Sequence, residues 1–75
     1  MTFDKKNLFW KRIAEFSDRG MRLDKFWGRE LADEGVSRGR VKGWIESGLA
    51  TVNGEAVIKG KFKISERDEL AIGAA

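Results

Sequence analysis

The chain contains no cysteine and no histidine among its 75 residues. The first absence excludes disulfides, thiol chemistry and thiolate zinc sites, and the second removes imidazole from any acid–base catalysis. No stretch approaches the ~18 apolar residues of a membrane span. Residues 1–12 also lack the apolar run of a secretory signal. These absences lead to the expectation of a soluble cytoplasmic protein with no metal and no cofactor.

What is present suffices for one small domain. Hydrophobic residues make up 41% of the chain, with three Trp and five Phe. That is enough to close a core, which at this size supplies only a few kcal/mol of net stability. The net charge is +3, unevenly spread: +1 on residues 1–35, +4 on residues 36–63 and −2 on residues 64–75. A local excess of this kind is what a polyanion-binding face requires, although lopsided charge also serves solubility alone.

The stretch 36–54, VSRGRVKGWIESGLATVNG, organises the rest. Ser37 is a strong N-cap residue, because its hydroxyl can accept from an amide in the first helical turn. Val41, Trp44 and Ile45 then fall on one helical stripe, and Gly48 ends it. Arg38, Arg40 and Lys42 crowd the helix onset, where outward-pointing N–H groups already favour an anion. On the helical wheel Arg38 and Lys42 lie on one side of the stripe and Arg40 on the other. Gly39 and Gly43 weaken this helix, each by roughly 1 kcal/mol relative to Ala. They imply either support from neighbours or the close approach of another backbone, from the first helix or from RNA.

Around this stretch the elements follow in order. Residues 1–7 read as a frayed terminus and 8–75 as one domain. Segment 8–16, LFWKRIAEF, fits either a helical face (Leu8, Phe9, Arg12, Ile13, Phe16) or an edge strand. The strand is preferred for residues 9–15, since it would cover the last strand's open edge. After the turn at 17–20, Leu23, Phe26, Trp27 and Leu31 predict a helix over 22–34 closed by Gly35. Its Arg22, Lys25 and Arg29 lie on the outside. Asn53-Gly54 is the strongest two-residue hairpin signal and predicts a hairpin over 49–59. Residues 60–64, GKFKI, alternate, which predicts Phe62 and Ile64 inward and Lys61 and Lys63 outward. A polar turn at 65–68 leads to a last strand at 69–72. The fold class expected is α+β, with two helices packed on an antiparallel sheet of three to four short strands.

The residues Gly20-Met21-Arg22-Leu23-Asp24-Lys25-Phe26, Val36-Ser37-Arg38-Gly39-Arg40-Val41-Lys42, Ile45-Glu46-Ser47-Gly48, Val52-Asn53-Gly54 and Asp68-Glu69-Leu70 together resemble the ribosomal-protein S4-like RNA-binding domain. Their order and spacing cover residues 20–72. With its leading strand-like segment, the chain most resembles the N-terminal domain of the large-subunit ribosomal RNA pseudouridine synthases. The resemblance implies an RNA-binding module that docks on structured, ribosomal RNA through Arg22, Lys25, Ser37, Arg38, Arg40, Lys42 and Asn53. Lys59, Lys61 and Lys63 join this face from charge alternation rather than from the motif. Gly39, Trp44, Gly60 and Arg67 depart from the family pattern, the last standing where a Gly is usual.

The resemblance further implies a targeting domain whose parent enzyme, an isomerase, carries its catalytic domain outside these residues. A stand-alone ribosome-associated protein is the alternative. Arg22-Leu23-Asp24 also occurs in the catalytic motif of those synthases. Here Asp24 is followed by Lys-Phe-Trp on a helix face, so it reads as a helix-start residue and the chain as no enzyme by itself. Trp27 and Trp44 read as core, Trp10 is open, and Arg22 has Asp24 or Glu69 as a competing partner. A third reading, a protein-interaction domain, would dock through Phe9, Trp10 and Phe16.

Overall fold

In the computed structural model the backbone is described for residues 8–74 and side chains for residues 9–73. The expectation for residues 1–7 lies outside the described residues. Six regular elements follow in order: β1 Leu8–Ile13, α1 Leu23–Glu30, α2 Arg38–Glu46, β2 Ala50–Val52, β3 Glu55–Ala56 and β4 Glu69–Ala74. The four strands form one antiparallel sheet in the order β1-β4-β2-β3. This is the expected α+β arrangement.

Segment 8–16 is resolved in favour of the strand. β1 pairs with β4 over its whole length, Trp10 opposite Ile72 and Arg12 opposite Leu70, so the first strand covers the edge of the last. Alternation then sends Phe9, Lys11 and Ile13 to one face and Trp10, Arg12 and Ala14 to the other. The helices cover only the second face. The core there is built from Leu23, Phe26, Trp27 and Leu31 of the α1 region, Val41 and Ile45 of α2, and Ala50, Val52, Leu70 and Ile72 of the sheet. Trp10 stacks on Trp44 at 5.9 Å and 28° along the rim of this core, an arrangement worth about 0.5–1.5 kcal/mol beyond area burial. Trp27 is fully buried, and among the described residues its Nε1 finds no acceptor. Packing must offset that orphaned donor, which costs about 1–3 kcal/mol.

Three expectations need correction. α1 ends at Glu30 rather than at residue 34, and Ala32–Glu34 tightens into a 3-10 turn before Gly35, whose φ of 78° closes it. The apolar stripe through Leu31 is the expected one; periodicity alone does not separate an α-helix from a terminal 3-10 turn.

The alternation expected of residues 60–64 holds except at Phe62, and these residues join no strand. Their backbone instead serves the segment entering α1: Leu23 N–H donates to Phe62 C=O (2.7 Å) and Asp24 N–H to Gly60 C=O (3.0 Å). These are first-turn amides that a side-chain cap would otherwise satisfy, and Arg22, at the cap position, supplies none. Ile64 is buried as expected, but Phe62 is turned outward, 37% exposed.

The glycines of α2, finally, do not admit α1. A methyl group built on Gly43 would meet nothing within 4 Å, and one on Gly39 only Ser37 Oγ at 4.0 Å.

Element bounds also shift, β1 ending at Ile13 rather than residue 15, the hairpin strands at Ala56 rather than residue 59, and β4 running on to Ala74, but two local signals hold. Ser37 Oγ accepts from Arg40 N–H (3.1 Å) and caps α2. Asn53 and Gly54 both take positive φ, 53° and 86°, as a type I′ turn between β2 and β3 demands.

Candidate nucleic-acid interface

The basic side chains expected to bind RNA are all exposed, and three segments bring most of them to one side. The loop carrying Lys59, Lys61 and Lys63 is tied to the start of α1 by the bonds just described and by the antiparallel backbone pairing of Arg22 with Lys63 as an isolated β-bridge. It therefore lays its lysines beside Arg22 and Lys25. One shallow recess is lined by Arg19, Arg22, Lys25 and Lys63 together with Ser17, Gly20 and Met21. A second is lined by Arg22, Lys42, Lys59 and Lys61 together with Asp24, Glu46, Ile58 and Gly60. Arg22 borders both, so the two join into one strip. α2 enters it through Lys42; Arg38 lines neither recess but lies one turn earlier on the same side of α2 and extends the strip from there. The Arg38 stem lies over Gly28 of α1, whose missing side chain leaves the space: a methyl group there would stand 3.4 Å from Arg38 Cγ.

The charges in this strip are mostly uncompensated. Arg22 forms a two-pronged pair with Asp24, Nη2 to Oδ2 at 2.7 Å and Nε to Oδ1 at 3.1 Å, so the competing partner is Asp24. Among the described residues, Lys25, Arg38, Lys42, Lys59, Lys61 and Lys63 have no carboxylate within 4.0 Å. Only Asp24 and Glu46 carry negative charge among the residues lining the two recesses.

Three expected residues stand apart from the strip. Arg40 is two residues from both Arg38 and Lys42, about 200° round the helix from either, and lines neither recess. Its amide, not its guanidinium, is the group engaged, by Ser37. The Ser37 hydroxyl is correspondingly occupied as a cap. Asn53 uses both ends of its amide within the fold, Nδ2 donating to Asp68 (3.0 Å) and Oδ1 accepting from Glu69 N–H (2.9 Å). Its place is explained by the turn and by these bonds.

Arg19 is the residue that sequence reasoning passed over. It lies in the turn before α1, outside the motif pieces and outside any periodic element. Only the fold, which carries Lys63 back to Gly20 and Met21 through paired backbone bonds (Gly20 N–H to Ile64 C=O, 2.8 Å; Ile64 N–H to Met21 C=O, 3.0 Å), reveals it as a member of the strip.

Phe9, Trp10 and Phe16 do not make one apolar patch. Trp10 faces inward on Trp44, while Phe9, 52% exposed, sits on the opposite face of the sheet.

Among the described residues no helix is long and apolar enough to cross a membrane, and no group of three or more Asp or Glu side chains is placed to hold a metal ion. Comparison with protein-family models and with curated proteins returns no match.

Proposed function

We propose that this chain is an RNA-binding module that grips the backbone of a structured RNA through the strip formed by Arg19, Arg22, Lys25, Arg38, Lys42, Lys59, Lys61 and Lys63. The observation that carries the reading is the convergence of cations from the turn before α1, from α1, from α2 and from the 59–63 loop, most of them without an acidic partner among the described residues. A fold at the margin of stability has no structural use for so many like charges side by side, because they repel one another. A chain of phosphates relieves that repulsion. A surface of this kind reads shape, phosphates and 2′-hydroxyls rather than sequence.

The resemblance to the S4-like domain supports the same reading independently of the charge argument and narrows the target to ribosomal RNA. On that basis the module is a targeting domain of a pseudouridine synthase, with a stand-alone ribosome-associated protein as the competing form. Neither form assigns catalysis to these residues.

The test is binding of fluorescently labelled ribosomal RNA fragments across a salt series. Affinity should fall linearly on a log–log plot, with a slope of roughly −0.7 to −0.9 per phosphate neutralised and therefore steeper than about −3 in all. No binding at low salt, or binding indifferent to salt, would remove the proposal. Crosslinking to total RNA followed by sequencing of the retained fragments then identifies the element bound.

A further inference from the structure

Among the described residues Phe16 is the most exposed of three aromatic side chains that lie outside the core, the others being Phe9 (52%) and Phe62 (37%). Phe26 and Trp27 are buried in the core, and Trp10 and Trp44 stack on each other at its rim. Phe16, by contrast, is 61% exposed and belongs neither to the core nor to the side chains packed against it. It opens the 3-10 turn Phe16–Asp18, whose integrity rests on other groups: Asp18 N–H donates to Glu15 C=O (2.9 Å), and Glu15 N–H donates to the Asp18 carboxylate (2.9 Å). Nothing in that turn requires an aromatic ring.

What the ring does contact is Arg19, whose guanidinium carbon lies 4.1 Å from its centroid. Arg19 in turn lines the recess of Arg22, Lys25 and Lys63, where no carboxylate is among the lining residues. A flat apolar surface therefore stands at the end of the cationic strip, joined to it by a second flat, charged group. Nucleic acids present that pairing of needs in every nucleotide, a π-face and an adjacent phosphate. In a duplex the face is hidden by stacking, and only an unpaired base can offer it to an aromatic ring or a guanidinium plane.

We propose that Phe16, together with Arg19, is the platform for one unpaired nucleobase of the bound RNA, whose neighbouring phosphate is held by Arg22, Lys25 and Lys63. The proposal rests on the RNA-binding reading above and deepens it. The target is then a helix interrupted by a bulge, loop or junction rather than a continuous duplex.

The experiment uses two RNAs: a blunt-ended duplex, and the same duplex carrying a single bulged 2-aminopurine. Wild-type protein should bind the bulged RNA more tightly and change the 2-aminopurine fluorescence on binding. Phe16→Ala should weaken binding to the bulged RNA roughly tenfold, the loss of one stacked base, and abolish the fluorescence change. Its affinity for the blunt duplex should stay as it was, and Phe16→Trp should restore both signals on the bulged RNA. Equal weakening on the two RNAs would mean that Phe16 merely orients Arg19, and unchanged affinity for the bulged RNA would mean that it binds nothing; either result overturns the proposal. Failure of the basic strip itself is distinguishable, because wild-type protein would then bind neither RNA. Circular dichroism of each variant checks that the exposed substitutions leave the fold intact.

Discussion

Two charged regions of this small molecule are built in opposite ways. Where β1 meets the end of α1, cations and carboxylates alternate. Arg12 pairs with Glu30 (3.0 Å), Glu30 with Arg29 (2.9 Å), and Arg29 with Asp18 (2.9 Å). The chain of pairs ties strand, helix and turn together and uses its charges internally. In the strip, by contrast, Lys25, Arg38, Lys42, Lys59, Lys61 and Lys63 are gathered without such partners among the described residues. A count of lysines and arginines would treat both regions alike. The difference in pairing is what separates a cation that holds the fold from one left for a ligand.

The largest expected effect breaks the comparison at its functional end. Reversing Arg38, Lys42 and Lys63 to Glu should weaken RNA binding at least roughly a hundredfold, since each replacement removes one phosphate contact and adds a repulsion. The melting temperature should change little, because among the described residues none of the three makes an ion pair to lose. Arg40→Glu, on the far side of α2, should cost much less affinity than Arg38→Glu measured side by side. Equal losses would show that position on the strip does not matter and that net charge alone governs binding.

The structural end responds in the reverse sense. Asp18 is buried, 5% exposed, and its carboxylate accepts from Glu15 N–H and from Arg29. The backbone hydrogen bond first, opposed by burial and reinforced by Arg29, holds its pKa below the ordinary carboxylate value. Asp18→Ala should therefore cost about 1–3 kcal/mol in a denaturant melt, whereas the strip reversals should leave that melt nearly unchanged. The sign of the pH dependence follows from linkage. A carboxyl whose pKa is lower in the folded than in the unfolded state stabilises above the unfolded value, about 3.9, and that contribution disappears as pH falls through the folded value. The stability gap between wild type and Asp18→Asn should accordingly be full at neutral pH and shrink below about pH 4.

Much of this architecture was legible in the sequence because local chemistry decided it. Ser37 could only be a cap, Asn53-Gly54 only a tight turn, and the open edge of the last strand called for a partner that segment 8–16 could supply. Residues 60–64 misled for the opposite reason. Their alternation is real, but α1 begins at a residue with no capping side chain, and the carbonyls of Gly60 and Phe62 were taken up by its amides. A competition between two non-local uses of one backbone leaves no mark in the pattern of side chains. The strip was legible in outline through Arg22, Lys25, Arg38 and Lys42, whereas Arg19 depended on the same non-local pairing and could not be found.

Glycines offer a smaller contrast between the same two kinds of surface. Gly60 is committed to the fold: a methyl group there would stand 2.8 Å from Asp24 Oδ2 and 3.0 Å from its Cβ, and Asp24 is held in place by Arg22. Gly60→Ala should destabilise by about 1–2 kcal/mol through overpacking. Gly43 faces open space in α2, so Gly43→Ala should stabilise by about 0.5–1 kcal/mol through helix propensity and a less flexible unfolded chain. Thermal melts of the two variants should shift in opposite directions. If Gly43→Ala gained stability but lost RNA affinity, the strip would extend across the outer face of α2.

Arg67 belongs to neither region, which makes it the most sensitive control on the comparison. It is exposed and lies in the 65–68 turn, outside both recesses. Its φ of 72° is a left-handed conformation, which costs a residue with a Cβ about 1–2 kcal/mol. The turn is held regardless, because Arg67 N–H donates to Ala14 C=O (2.8 Å) and Ser65 N–H to the Asp68 carboxylate (2.7 Å). Gly would relieve the strain but add conformational freedom to the unfolded chain, so Arg67→Gly should stabilise by a net amount of only about 0.5 kcal/mol. The other left-handed non-glycine residue among the described ones, Asn53 (φ 53°), has side-chain bonds to lose, and Asn53→Gly should destabilise instead. Arg67→Gly also removes a positive charge, and RNA affinity should not fall with it. A loss matching that of Lys63→Glu would mean that the molecule attracts RNA by overall charge rather than by the strip, and the distinction between its two charged regions would lose its functional meaning.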